Sequence, residues 1–174
     1  MKLSELKVHP ENNRIYTISD LTDLENSLST FGQLEPIVIT KENKIISGHR
    51  RFQAMRNLQW EECEIRFIEP IDELISLIEH NRHRVKTNQD VLNEARILKK
   101  QLSKIVGRGR NASIERNGEN KGKRLRLVKE LADRLGVGTT TLKKLQSISN
   151  YEPELISKID KGEINLSKAY AKIQ

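Results

Sequence analysis

The sequence predicts an α+β protein in which a small mixed N-terminal domain precedes an all-α domain. Three short β-branched segments are confined to the first half of the chain, at 36–40, 44–47 and 63–69. Apolar residues at helical spacing fill most of the rest, apart from one stretch rich in glycine and asparagine. We therefore expect a mixed domain at 1–88, a connecting helix at 89–106, a basic linker at 107–124 and a helical domain at 125–174.

The first helix and the first two strands follow from spacing and turn residues. Four apolar residues at 3-4-3 spacing predict one face of a helix: Leu21, Leu24, Leu28 and Phe31. Gly32 suits the C-terminal end of that helix. Pro36 then opens the strand PIVIT, residues 41–43 form a turn, and KIIS returns as a second strand.

Further elements alternate between strand and helix up to the linker. Gly48 lets the chain bend from the second strand into a helix that carries Phe52, Met55 and Leu58. In CEIRFIE, alternation predicts one strand face with Cys63, Ile65 and Phe67. Two more helices follow, the first with Ile71, Leu74, Ile75 and Ile78 and the second with Val91, Ala95, Leu98, Leu102 and Ile105.

The positive charge of the chain is regional. The formal net charge is +7, yet residues 99–129 hold eleven Lys and Arg against only Glu115 and Glu119, a local excess of +9. Such an excess favours a polyanion as partner. Within it, 107–124 contains four glycines and three asparagines and is predicted to be a mobile connection.

Cysteine content and hydropathy restrict the protein's environment. Cys63 is the single cysteine, so an internal disulfide and a multi-cysteine zinc site are excluded. Its alternation with Ile65 favours a buried apolar residue over a reactive thiol. No apolar run reaches the about 18 residues of a membrane span, and the N-terminus lacks a secretion signal. We expect a cytoplasmic protein.

The segment LVKELADRLGVGTTTLKKLQSI has the spacing of a helix-turn-helix. Ala132, Gly136, Leu142 and Leu145 supply the small contact residue, the turn glycine and the inner face of the second helix. A plain helical hairpin has the same spacing, but the adjoining basic stretch favours nucleic acid. The predicted DNA-contacting residues are three at the start of the second helix, two lysines behind them and two arginines of the basic stretch: Thr139, Thr140, Thr141, Lys143, Lys144, Arg124 and Arg126.

The segment SGHRRFQAM places a glycine and two arginines at a strand-to-helix turn. The first amides of a helix lack partners and carry the positive end of its dipole, so an anion is favoured there. Arg50 and Arg51 add guanidinium groups with the fork geometry that suits phosphate, and His49 can donate to it. Ordinary surface arginines at a helix start are the competing interpretation.

A second polar cluster lies behind the fourth predicted helix. The segment IEHNRHRVKTN collects Glu79, His80, Asn81, His83 and Arg84. The histidines lack a metal-ligand spacing and a third ligand, which argues against a transition metal. Either this is a solvated helix end, or the cluster faces the glycine-arginine turn across a nucleotide.

Four motifs in this order resemble the ParB/sulfiredoxin superfamily joined to a ParB-type helix-turn-helix. FGQLEPIVIT is similar to the family's strand entry, SGHRRFQAM to its Gly-Glu-Arg-Arg motif, and HNRHR to its Glu-Asn-x-x-Arg segment. YEPELISKIDKGEINLSKAYAKI resembles the helix pair that follows the helix-turn-helix. The resemblance covers the chain from about Val8 onward. It implies a ParB/sulfiredoxin-like N-terminal domain followed by an all-α helix-turn-helix domain.

The resemblance also implies a nucleotide site. In ParB proteins these motifs surround CTP and magnesium, and the matching residues, with His49 added, are Gly32, Pro36, Ile37, Gly48, His49, Arg50, Arg51, Asn81 and Arg84. His49 and His80 replace two acids of the family, which leaves Glu79 as the candidate Mg²⁺ ligand. Gly-His-Arg is also similar to the ATP-using sulfiredoxin branch. There a cysteine precedes His-Arg, so Gly48 in that place argues against sulfinic acid reduction.

These inferences predict a ParB-like DNA-binding protein with a nucleoside triphosphate, CTP or ATP with Mg²⁺, as its switch. Implied partners are double-stranded DNA, a second copy of the chain and a partition ATPase, with a nucleoid or plasmid location. Slow triphosphate hydrolysis would reset such a switch. One alternative is a nucleotide-dependent enzyme targeted to DNA, a phosphotransferase or a ParB-like nuclease, with Glu35 or Glu79 as its catalytic acid. The other is a transcriptional regulator that binds no nucleotide.

Overall fold

A computed structural model describes residues 1–17, 20–107 and 127–174, leaving out the side chains of 102–107. The chain forms two compact units, Met1–Asn81 and Arg82–Gln174. The first contains a 3₁₀ turn (Leu3–Glu5), α1 (Asn12–Ile15), α2 (Thr22–Phe31), β1 (Ile37–Ile39), β2 (Ile45–Ser47), α3 (His49–Asn57), β3 (Ile65–Phe67) and α4 (Glu73–His80). The second contains α5 (Asn88–Gly107), α6 (127–135), α7 (Thr139–Tyr151), α8 (Glu154–Asp160) and α9 (Leu166–Lys172). The α+β prediction is confirmed.

The sheet of the first unit has the order β2-β1-β3. β1 pairs antiparallel with β2, so the short turn at 41–43, in which the Asn43 amide donates to the Thr40 carbonyl oxygen, suffices to connect them. β1 pairs parallel with β3, and α3 lies on the longer connection that a parallel pair requires. As the central strand, β1 is buried at all three positions.

The core of the first unit lies between this sheet and helices α2 and α3. Its buried members include Leu28, Ile37, Ile45, Phe52 and Met55, which carry the predicted helix and strand periods. Each such side chain contributes about 1.5–3 kcal/mol through burial. Alternation puts the buried residue Ile46 on the other face of β2, against which α4 packs Leu77 and Ile78. Cys63 is buried as predicted, and burial raises the pKa of its thiol.

Three side chains predicted to face the core are exposed instead. Phe31 is 69% exposed because α2 ends there and its last turn has no covering element among the described residues. Phe67 is 56% exposed because it ends β3, which lies at the edge of the sheet. Ile71 is fully exposed because Asp72 is the N-cap of α4 and accepts a hydrogen bond from the Ile75 amide, so the helix begins after Ile71.

The second unit is built on α5. Val91, Leu92, Ala95 and Leu98 are buried on the side that packs against α7 and α8, whereas the predicted Leu102 and Ile105 lie outside the described side chains. Asp160 of α8 satisfies the start of α5 by accepting from the amides of Asn88 at 2.7 Å and Gln89 at 3.2 Å. Among the described residues, no helix combines the length and apolar character needed to cross a bilayer.

Candidate functional site

The turn at Gly48 brings the N-terminal end of α3, which no side chain caps, against β1, the central strand of the sheet. Gly48 has φ +99°, a left-handed conformation, and a Cβ atom there would lie 3.3 Å from Ile37 Cγ1 and 3.4 Å from Ile37 Cα. Glycine is therefore required both by the backbone angle and by the space above Ile37. The structure thus brings together two of the predicted site residues.

The N-terminal end of α3 lies at Gly48. Its first intrahelical bond runs from the Phe52 amide to the Gly48 carbonyl oxygen, no side chain caps it, and its first turn contains no acidic residue. The amides that precede Phe52 therefore have no intrahelical partner, and the positive end of the helix dipole lies at Gly48. This geometry favours an anion.

Arg50 and Arg51 lie at this helix start and reach two different loops. Arg50 Nη2 donates to the Asp20 carbonyl oxygen at 3.0 Å. Arg51 Nη1 donates to the Glu35 carbonyl oxygen at 2.7 Å and to its carboxylate at 3.1 Å. The Arg51 side chain is 18% exposed, whereas that of Glu35 is 79% exposed. The guanidinium groups are thus oriented by backbone carbonyls, and the contact of Arg51 with the Glu35 carboxylate is at the surface.

The loop between α2 and β1 carries the next group of predicted residues. Gly32 ends α2 with φ +72° and donates its amide to the Leu28 carbonyl oxygen, as its role as a helix stop predicts. Gln33, which sequence reasoning missed, fixes this loop: its amide group donates to the carbonyl oxygens of Glu35 and Glu64 and accepts from the Glu64 amide. Pro36 then leads into β1. The position of Gln33 in FGQLEPIVIT, directly after Gly32, was the one sequence feature that could have pointed to this role.

His49 adjoins a buried polar cluster that sequence reasoning also missed. The amide of His9 donates to His49 Nε2 at 3.4 Å. His9 is 4% exposed, its Nδ1 accepts from the Glu11 amide, and its Nε2 lies 3.4 Å from Glu73. Lys44 Nζ donates to both carboxylate oxygens of Glu73 at 2.7 and 2.8 Å.

The protonation of His9 follows from these contacts. Burial lowers its pKa, although the carboxylate of Glu73 acts in the opposite direction. With Nδ1 accepting, the neutral ring carries its proton on Nε2 and can donate it to Glu73. The segment before α1 is thereby connected to both His49 and α4. A buried histidine in VHPENN has no periodic signal in the sequence.

The third predicted motif ends α4. Asn81 follows this helix, and its side-chain amide donates to the Leu77 carbonyl oxygen at 2.8 Å, so it closes the helix end. Burial, followed by the charge of Arg66, lowers the pKa of His80. Glu79 is half-buried in the last turn. Arg84 belongs to the second unit.

The metal prediction finds little support in the donor set. Among the described residues, no three His, Cys, Asp or Glu side chains are grouped so that they could hold a metal ion. Glu79 therefore remains a single candidate carboxylate. Mg²⁺ bound with a nucleotide takes ligands from phosphates and water as well, but the protein residues described here do not form a cage for it.

The helical unit contains two helices joined by a tight glycine turn. α6 ends at residue 135, Gly136 has φ +70°, and α7 begins at Thr139. Ala132, Leu142 and Leu145 are buried, as the spacing predicted. The turn therefore has the local geometry on which the helix-turn-helix prediction depends.

The predicted DNA-contacting residues differ in their availability. Thr139, Thr140 and Lys143 are exposed, and Thr141 is half-buried. Lys144 Nζ lies 3.4 Å from Ser167 Oγ and 5.7 Å from the ring centroid of Tyr170, so α9 already holds it. Arg124 and Arg126, together with the predicted linker after Gly107, lie outside the described residues.

Comparisons with known proteins agree with this architecture. A model of the ParB N-terminal domain family matches residues 1–90. Among solved structures, the C2221 form of a Pnob8-like ParB-N domain has a TM-score of 0.67 at 20% identity, with 98% of this chain and 76% of that chain covered. A C-terminally truncated chromosome-partitioning protein ParB from Caulobacter crescentus, complexed to the centromeric parS site, has a TM-score of 0.60 at 20% identity, with 99% and 82% covered. The comparison with curated proteins gave no match.

A small mixed domain followed by a helical unit is the architecture of ParB-like partition proteins. Because the family match covers more than half of the 174 residues, the chain belongs to the ParB N-terminal domain family. The resemblance drawn from the sequence motifs is confirmed to this extent. The sulfiredoxin-like reading of Gly48-His49-Arg50 stays a prediction.

Proposed function

We propose that this ParB-like protein binds DNA through α6 and α7 and a nucleoside triphosphate, CTP or ATP, at the Gly48 turn. The observation that carries the nucleotide proposal is the start of α3, which bears two arginines and has neither a side-chain cap nor an acidic residue in its first turn. An anion bound there gains hydrogen bonds and a favourable dipole. The residues proposed to form the site within the first unit are Gly32, Pro36, Ile37, Gly48, His49, Arg50, Arg51 and Asn81.

The arginines have different proposed roles. Arg50 is held only by a backbone carbonyl in the described structure, so its guanidinium retains donors for phosphate. Arg51 contacts the exposed carboxylate of Glu35, and an exposed pair of this kind contributes at most about 1 kcal/mol. A triphosphate, with more negative charge, can replace that carboxylate.

The Mg²⁺ part of the proposal rests on Glu79 as the candidate ligand, because His49 and His80 replace the acids of the family. A bound Mg²⁺ would neutralise phosphate charge. The enzyme alternative keeps Glu35 and Glu79 as its candidate acids, and Glu35 contacts Arg51 in the described structure.

The DNA proposal rests on the turn between α6 and α7. In a helix-turn-helix, the N-terminal residues of the second helix reach base edges and flanking cations contact phosphates. Thr139, Thr140 and Lys143 are exposed in those positions. The parS complex of the Caulobacter protein of the same fold supports this assignment. Two further proposals, that the chain self-associates and that a partition ATPase is its partner, rest on family membership alone.

The switch is tested by linkage between the two ligands. A duplex selected by the protein from a random library is titrated by fluorescence anisotropy without nucleotide, with CTP and with ATP. Nucleotide affinity is then measured with and without that duplex. If the two ligands are coupled, nucleotide changes the affinity for DNA by the same factor by which DNA changes the affinity for nucleotide. This factor is typically about 5–150-fold. DNA binding that no nucleotide alters would instead support a transcriptional regulator without nucleotide binding.

A further inference from the structure

A polar groove lies between α5 and α7, away from the turn that joins α6 to α7. Its volume is about 270 Å³, and its floor is formed by the apolar residues Leu92 and Ala95. The polar side chains that line it come from both helices: Arg96 and Lys99, and Gln146, Ser149 and Asn150.

The groove is chemically complementary to an anion. Arg96 and Lys99 are three residues apart on α5, so they lie on the same face of that helix. Among the described residues, no carboxylate lines the groove. Within the part of the chain that the structure describes, none of its five polar side chains has a hydrogen-bond or ion-pair partner. Two cations and three uncharged hydrogen-bonding groups thus converge without an internal partner.

The groove continues the proposed DNA-contacting face of α7. Thr139, Lys143, Gln146 and Asn150 follow one another at 4-3-4 spacing and therefore form a single strip along the helix. The strip is about 16 Å long, at 1.5 Å per residue. A duplex that contacts Thr139 and Lys143 would therefore also lie close to Gln146 and Asn150. These two residues line the groove together with Arg96 and Lys99.

We propose that this groove binds a backbone phosphate of the DNA, flanking the bases contacted at Thr139. The proposal rests on the DNA-binding function proposed above and extends the interface from α7 to α5. Arg96 and Lys99 supply charge, while Gln146 and Asn150 supply amide donors. Such contacts fix the position of the protein on the duplex and carry no base sequence information.

The test measures how DNA affinity depends on salt. The double variant Arg96→Ala/Lys99→Ala is compared with Lys158→Ala/Lys161→Ala, which removes the same charge from exposed positions outside the groove. Each phosphate contact contributes about 0.9 to the slope of log K against log salt. We expect the groove variant, which loses this one phosphate contact, to lower the magnitude of the slope by about 0.9 and the control to leave it unchanged. The charge-conserving variant Arg96→Lys/Lys99→Arg should restore it.

A third variant separates charge from hydrogen bonding. Gln146→Ala/Asn150→Ala should weaken binding several-fold without changing the slope, because no phosphate-neutralising cation is lost. Equal slopes for the groove variant and the Lys158/Lys161 control would overturn the proposal. The proposal would also be overturned if the groove variant kept the wild-type slope but no longer bound poly-glutamate. The groove would then bind an acidic protein rather than DNA. A wild-type chain that binds no duplex would overturn the DNA-binding function itself, a distinguishable outcome.

Discussion

Arg51 contacts Glu35 twice, with 2.7 Å to its carbonyl oxygen and 3.1 Å to its carboxylate. The carbonyl contact orients the guanidinium at the start of α3, whereas the carboxylate contact uses a guanidinium donor that the proposed phosphate would need. The first contact therefore builds the proposed phosphate site, and the second competes with its ligand. This difference can be tested because only the second contact depends on the Glu35 side chain.

Replacing Glu35 with alanine should tighten triphosphate binding. The variant removes the competing carboxylate and retains the carbonyl contact. Since an exposed ion pair contributes at most about 1 kcal/mol, the expected gain is no more than about fivefold. Calorimetric titration provides the measurement, with Glu61→Ala as the control for loss of one exposed negative charge. Weaker binding in Glu35→Ala than in Glu61→Ala would show that Glu35 supports the ligand.

Replacing Gly48 with alanine should destabilise the first unit by more than its left-handed backbone alone accounts for. Gly48 is left-handed, at a cost of about 1–2 kcal/mol for an L-residue. The new Cβ would also meet Ile37, and such crowding adds about 1 kcal/mol or more. Urea unfolding followed by fluorescence of Trp60, which packs against the core of this unit, gives the loss in free energy of unfolding. A loss no greater than about 1–2 kcal/mol would contradict the close approach to Ile37.

The protonation of His9 should occur at a pH below its ordinary pKa of 6.5, because burial disfavours the charged ring. The unfolded chain then binds this proton more readily than the folded chain. The contribution of His9 to the free energy of unfolding is therefore present above pH 6.5 and falls as the pH drops below that value.

A proton NMR titration of the His9 ring measures this pKa directly. Glu73→Gln should lower it further, because the carboxylate of Glu73 raises it. Glu69→Gln, which removes the surface partner of Lys41, is the matched control and should have no effect. A wild-type midpoint at or above 6.5 would show that the ring is not held neutral by its surroundings.

Lys143 and Lys144 should differ in their effect on DNA binding. Lys143→Ala is expected to lower the magnitude of the salt slope by about 0.9, as one lost phosphate contact. Lys144→Ala should lower it less, because Ser167 and Tyr170 already hold that ammonium group. Anisotropy titrations over a range of salt concentrations compare the two variants. An equal or larger effect of Lys144→Ala would mean that this lysine leaves α9 when DNA binds.

The sequence predicted the elements well where period and turn residues agree. β1, β2 and α3 fall where their spacing put them, and Gly32 and Gly48 have the positive φ angles that their turns require. The sequence predicted the ends of the elements less well. The apolar spacing that includes Phe31 indicates one face of α2, but it does not show where the part of the protein that covers this face ends. The N-cap Asp72 could have excluded Ile71 from α4, since an aspartate before an apolar run is a helix-start signal.

The site was predictable only in part. Motif order located the glycine turn and its arginines, because phosphate binding needs those residue types adjacent in sequence. Contacts between distant segments left no local pattern: His9 reaches His49 across 40 positions, and Gln33 reaches Glu64 across 31. The engagement of Lys144 by Tyr170 likewise depends on how α7 packs against α9.

The most direct test of the nucleotide proposal is calorimetric titration of CTP and ATP, each with Mg²⁺, into the wild type, Arg50→Ala and Arg56→Ala. Arg56 is the matched control because it lies in the last turn of the same helix, 5.8 Å from the ring centroid of Phe52. We predict that the wild type and Arg56→Ala bind one of the nucleotides with micromolar affinity, and that Arg50→Ala loses at least about tenfold, or about 1.4 kcal/mol. Absence of binding in the wild type, or equal affinities of the two variants, would contradict a phosphate site at the Gly48 turn.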